Sequence, residues 1–212
     1  MKRHSAAAPA ASEPFPGQVR ARAGRAARPL GTNAAYGVEV DWPAAEPIQT
    51  ARLTLEPLRV EHAGEMREVL GDPALYEYTG GKPPSLDDLR TRYAMQAVGR
   101  SPDGRQGWLN WIARERDSGA AIGTVQATLD RSGEAEIAWI IGVSYQRRGF
   151  ATEAAGAMVG WLRARGVTTF AAHIHPDHVA SMGVARRLGL TATDVVVGGE
   201  IRWEGPLARP DS

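Results

Sequence analysis

Between residues 108 and 173 the chain runs three short strand patterns in quick succession and then makes one long crossover. That order leaves few folds open to it. Residues 108–114, 121–129 and 135–142 each carry the β-branched and aromatic enrichment of strands. Asp117-Ser118-Gly119 separates the first pair and Ser132-Gly133 the second, links that suit antiparallel neighbours. A helical pattern follows over 152–165, with Ala151, Ala155, Met158 and Leu162 as its buried stripe and Gly166 as its stop. The strand pattern over 168–173 then returns parallel to the third strand. Strand, helix and strand over 135–173 thus predict a right-handed parallel unit.

The flanking segments extend this core. Residues 52–58 alternate polar and apolar, and 60–70 place Ala63, Met66, Val69 and Leu70 on one helical face. A second helix starts at Ser85, its N-cap, with Asp88 completing a capping box, and runs to about Val98. Asp177 is expected to cap a short helix over 179–188 closed by Gly189. Gly198-Gly199 is expected to join strands 192–197 and 200–203 as a two-residue hairpin. The fold class is therefore α/β (mixed α+β): a mixed central sheet with an antiparallel N-terminal half, one right-handed parallel crossover, and helices on both faces.

Composition bounds the ends of the chain. Residues 1–48 are rich in Ala, Pro, Gly and Arg with hardly any large apolar side chain, the pattern of a disordered tail. Residues 36–42 are a candidate strap within it. One domain is expected over 49–207, with 208–212 a disordered end. Six basic residues (Lys2, Arg3, Arg20, Arg22, Arg25, Arg28) face only Glu13 in the first thirty, so the folded body is mildly acidic and suits a cationic amine better than a nucleic acid. No run nears the ~18 apolar residues of a membrane helix, and no apolar stretch of a secretory signal follows Met1. A soluble, cytoplasmic protein with no membrane partner is the expectation. The chain has no cysteine, which removes disulfides, Cys-ligated zinc and thiol catalysis. His173, His175 and His178 lack a carboxylate at ligand spacing other than Asp177, so no metal is expected.

The chemistry concentrates in Gln146-x-x-Gly149-x-Ala151, which sits between a strand and a helix. Successive backbone N–H groups at a helix N-terminus form an anion nest, and the helix dipole favours negative charge there. Gly149 lets the backbone approach a pyrophosphate closely, while Arg147 and Arg148 add charge.

This loop resembles the pyrophosphate loop of the GNAT superfamily of N-acetyltransferases, and the run from Ile137 to Ala154 is similar to that family's central strand, loop and helix. The segment His175-Pro176-Asp177-His178-Val179-Ala180-Ser181, ending in Arg187-Leu188-Gly189-Leu190, resembles the ribosomal-protein N-terminal acetyltransferase subgroup. The likeness covers 51–204. It implies acetyl-CoA as co-substrate, held by Ile140, Ile141 and Val143 through their backbone, by Gln146, Arg147, Arg148, Gly149, Phe150, Ala151 and Thr152, and by His178 and Ser181. It also implies a bulge at the end of the third strand, splaying it from its parallel neighbour so that pantetheine fills the gap. His178 stands where the subgroup usually has Asn.

Catalytic roles follow from the same resemblance. A lysine-like amine with pKa ~10.4 costs ~4.6 kcal/mol to deprotonate at pH 7, whereas an α-amine near 7.7–8.0 costs only ~1. A base thus matters most for aliphatic amines. Glu200 takes the position of the subgroup's proposed base, with Glu136 and Glu134 as the alternative on the central strand. Ser181 is the candidate acid or CoA contact near the sulfur, since the helix lacks the tyrosine that the family more often carries. Tyr76 to Lys82 is the expected acceptor wall. The expected activity is acetyl transfer to a primary amine, most simply a small molecule such as an antibiotic or metabolite. The alternatives are a peptide N-terminus or a non-catalytic acyl-CoA-binding module. Either a monomer or a homodimer is compatible with the sequence.

Overall fold

The computed structural model describes residues 41–206. Its elements are β1 (Ile48–Gln49), β2 (Leu53–Pro57), α1 (Ala63–Val69), α2 (Leu86–Gln96), β3 (Gly107–Glu115), β4 (Ala121–Leu129), β5 (Glu134–Ile141), α3 (Phe150–Arg163), β6 (Thr169–Ile174), α4 (Val179–Arg187), β7 (Thr191–Val197) and β8 (Glu200–Pro206), with short 3-10 turns before α1, α2 and α3. All strands join one sheet in the order β1-β2-β3-β4-β5-β6-β8-β7. Every pairing is antiparallel except β5 with β6, as the order of strand and helix patterns predicted.

Helices cover both faces. On one face α3 and α4 bury Phe150, Met158, Leu162, Val184 and Leu188 against Trp111, Val125, Ile137 and Phe170. On the other, α1 and α2 bury Met66, Leu70, Leu89 and Tyr93 against Leu58 and Ile112. Two cores on one twisted sheet bury the central strands on both sides. The α2 start is built as expected: Ser85 Oγ accepts from the Asp88 N–H at 3.1 Å while Asp88 accepts from the Ser85 N–H at 3.2 Å.

Some expectations need revision. The N-cap of α4 is His178, not Asp177, and it makes no side-chain cap bond. The Asp177 N–H donates instead to His175 Nδ1 at 3.2 Å, so this turn is ordered by the residue before Pro176. Residues 41–48, assigned to the tail by composition, dock on the domain. The Trp42 indole lies on Gly107, where a side chain would meet it at 2.8 Å, and the Trp111 indole N–H donates to the Glu46 carbonyl at 2.8 Å. The remainder of the expected tail and strap, and the end from 207, fall outside the described residues.

Candidate active site

The site begins where β5 and β6 part. They pair only at Glu134↔Thr169, Ala135↔Phe170 and Glu136↔Ala171. Beyond that, β5 continues beside β4 to Ile141 while β6 continues beside β8 to Ile174. A cleft therefore opens along Ile137–Ile141, bounded by strand edges. The splay is present without the expected bulge: the β4–β5 register runs unshifted from Leu129↔Ala135 to Gly123↔Ile141. On the β4 edge Gly123 permits a close approach: an added Cβ there would overlap the Ile140 carbonyl oxygen.

The alternation of β5 sorts its side chains between the two sides of this cleft. Ile137, Trp139 and Ile141 join the core under α3 and α4, whereas Ile140 packs with α1 and α2. Glu134, Glu136 and Ala138 share the Ile140 face. On the α4 side, the Trp139 indole N–H donates to Ser181 Oγ at 3.1 Å. This bond ties β5 to α4 and leaves the serine O–H free to donate elsewhere.

The loop after β5 lies at the open end. Gly149 is the left-handed N-cap of α3 with φ 81°. Arg147 is left-handed as well, with φ 61°. Gln146 donates its side-chain amide to the Ile141 carbonyl at 3.0 Å, tying the loop to the strand. Arg148 pairs with Glu115 at 2.7 Å and lies 4.6 Å from the Phe150 ring centre. Phe150 is itself buried, so only its backbone reaches the loop surface. Of the two arginines expected to add charge, Arg148 is thus already engaged by a carboxylate, and Arg147 is exposed.

The opposite face carries two acid–histidine pairs. Glu136 lies 3.6 Å from His173. Glu200 lies within electrostatic reach of His175, and burial raises its pKa against the pull of that histidine. Continuing the β6–β8 register past Ile174↔Ile201 sets Glu200 opposite His175, on the face that also carries Arg202. The two histidines are two residues apart, about 6.6 Å along the chain. Glu134, the other candidate base, is held by Arg202 at 2.6 Å. Tyr78, from the expected acceptor wall, stacks on His178 with ring centres 4.6 Å apart, and burial lowers the His178 pKa. Among the described residues no three His, Asp or Glu side chains are grouped to hold a metal, and no helix is long and apolar enough to cross a membrane.

Sequence reasoning missed the Trp139–Ser181 bond, the Tyr78 stack and Arg52, whose guanidinium lies over the loop residues Arg148 and Phe150. Each joins segments far apart in the chain, and no local pattern marks them.

The model of the acetyltransferase (GNAT) domain family matches residues 52–191. No curated protein matches the sequence. Among solved structures, a Salmonella typhimurium acetyl transferase that modifies the N-terminal serine of a ribosomal 50S protein aligns at 16% identity and TM-score 0.64, covering 77% of this chain and 100% of that one. An aminoglycoside acetyltransferase solved with coenzyme A aligns at 17% identity and TM-score 0.61, covering 73% of this chain and 94% of that one. A microcin C7 self-immunity acetyltransferase solved with acetyl-CoA and AMP aligns at 15% and 0.61, covering 74% and 93%. At these identities the likeness is one of fold.

Proposed function

The chain belongs to the GNAT acetyltransferase family, and from that premise we propose that it transfers acetyl from acetyl-CoA to the primary amine of a small molecule by direct attack. The observation that carries this reading is the cleft along β5, with a glycine-capped helix N-terminus at its open end and a bonded serine on one wall. The β5 edge offers backbone groups to the pantetheine arm through Ile141 and Val143, whereas the Ile140 carbonyl, expected to join them, is turned toward Gly123 of β4. The loop from Gln146 to Thr152, with its left-handed Gly149 and exposed Arg147, takes the pyrophosphate. Tyr78 and His178 wall the passage between the cofactor and acceptor sides.

In the reaction the amine nitrogen bonds to the acetyl carbon and the carbon–sulfur bond breaks. The amine proton passes to Glu200, whose burial holds its pKa above the usual carboxylate range and so nearer the range where a base works at neutral pH. Glu136 is the weaker candidate because its carboxylate contacts His173 at 3.6 Å, whereas His175 acts on Glu200 only as a nearby charge. The Ser181 O–H hydrogen-bonds the departing thiolate, with the Trp139 N–H fixing the oxygen, and the thiolate takes up a proton from solvent as Glu200 releases the one it received.

A peptide N-terminus is the second acceptor reading. It is favoured by the likeness to the Salmonella enzyme, which modifies an N-terminal serine. A thiol-release assay with acetyl-CoA across small amines and short peptides separates the two. Turnover confined to small amines supports the first reading and turnover confined to peptides the second. Absence of acetyl-CoA binding by calorimetry would overturn both.

A further inference from the structure

The turn before β2 holds the loop from a hundred residues away. Arg147 and Gly149 both adopt left-handed backbone conformations, and a non-glycine residue stays there only where its surroundings enforce it. Arg52 holds the peptide between Arg148 and Gly149. Its Nη1 donates to the Arg148 carbonyl at 2.9 Å. In a planar trans peptide the C=O and the following N–H point in opposite directions. Fixing the Arg148 carbonyl toward Arg52 therefore turns the Gly149 N–H away from it, off the side that Arg52 covers.

The rest of Arg52 engages Glu153. Nε and Nη2 reach Glu153 Oε2 at 2.7 and 2.6 Å, and the Arg52 backbone N–H donates to Oε1 at 2.9 Å. The Thr50 hydroxyl donates to the same Oε1 at 2.6 Å. Glu153 lies in the first turn of α3 and its own N–H bonds the Gly149 carbonyl. Its carboxylate thus sits at the helix end that would receive a pyrophosphate, where an uncompensated negative charge repels an anion. Burial alone would raise the Glu153 pKa, but the bonds from Thr50 and Arg52 outweigh it and hold the group ionised. A forked guanidinium can meet the carboxylate and the carbonyl at once; an ammonium cannot match that geometry.

We propose that Arg52, seated by Thr50 and Glu153, is a positioning residue of the cofactor site: it aims the Gly149 N–H and neutralises Glu153, so that the N-terminus of α3 accepts the pyrophosphate of an acyl-CoA. The inference rests on the acyl-CoA reading above.

Calorimetry with acetyl-CoA on the full chain tests it, with the melting temperature of each unliganded variant recorded alongside. Arg52→Met weakens acetyl-CoA binding tenfold or more. Arg52→Lys restores only part of the loss, and adding Glu153→Gln to Arg52→Met recovers the share due to charge. Binding of S-acetylpantetheine, which has no pyrophosphate, changes less than threefold throughout. Should Arg52→Met fail to fold, Thr50→Val carries the test, with an expected two- to fivefold loss for acetyl-CoA alone. Unchanged acetyl-CoA affinity in the folded variants, or an equal loss for S-acetylpantetheine, overturns the proposal. A wild-type chain that binds no acetyl-CoA defeats the functional reading and this one together, whereas binding that Arg52 does not influence defeats this one alone.

Discussion

At the residue scale, Glu200 ties activity to stability with opposite signs. Its pKa is raised by burial, so the folded state binds the proton more readily than the unfolded chain does. The stability this group contributes is present at low pH and is lost as pH rises through the raised value. Glu200→Gln, which stays neutral, should therefore raise the melting temperature at pH 8 and leave it nearly unchanged at pH 4. The same variant should lower kcat by roughly 10²-fold, most for amines of high pKa, and flatten the acidic limb of the pH–rate profile. A silent Glu200→Gln beside a crippled Glu136→Gln would move the base to the central strand. Ser181 gives a different signature. Ser181→Ala should slow transfer to all amines alike, and Trp139→Phe, which removes the N–H held at 3.1 Å together with part of the ring, should give a smaller loss in the same direction. If Trp139→Phe leaves turnover unchanged, the bond serves packing and not orientation.

At the scale of elements, the end of β5 depends on one residue of its neighbour. Gly123 leaves room for the Ile140 carbonyl. Gly123→Ala should cost about 1–3 kcal/mol by overpacking, and should also weaken acetyl-CoA binding because the displaced strand edge lines the cleft. A stability loss with unchanged cofactor affinity would show that this close approach does not shape the site. Helix ends were unevenly legible. Ser85 and Asp88 form their capping box because all its atoms lie within one turn of sequence. Asp177 was an equally plausible cap by composition, yet His178 takes the place, since Pro176 and the His175 ring draw the Asp177 N–H into a different turn.

At the scale of the molecule, the docked segment 41–48 closes the α3 side of the sheet beside β2. Trp42 donates to the Gly104 carbonyl at 3.2 Å, Arg165 pairs with Glu46, and β1 extends the sheet by pairing Ile48 with Leu55. A chain beginning at residue 49 loses these contacts and leaves the buried Trp111 N–H without its acceptor. Against a chain beginning at residue 41, the expected loss is about 3 kcal/mol, combining one large apolar side chain with one orphaned donor. That corresponds to roughly 6–12 °C in Tm for a domain of this size. Equal melting temperatures for the two chains would show that the segment contributes nothing to the domain.

Period-two and period-3.6 patterns, turn residues and the short links between strands determined the elements, their order and the single parallel crossover, because those signals lie within a few residues of one another and local sterics read them directly. The loop Gln146-x-x-Gly149-x-Ala151 was legible for the same reason: left-handed backbone and a helix N-terminus are local properties. Composition misplaced the start of the packed chain, since Trp42 and Ile48 are isolated apolar residues whose partners are met only in the fold. Tertiary structure alone decided which carboxylates are engaged. Glu134 is held by Arg202 across 68 residues, Glu153 by Arg52 across 101, and Ser181 meets Trp139 across 42. Charge and hydrogen-bond partners at such separations follow from how the sheet brings its strands together, and no window along the chain contains both members of any of these pairs.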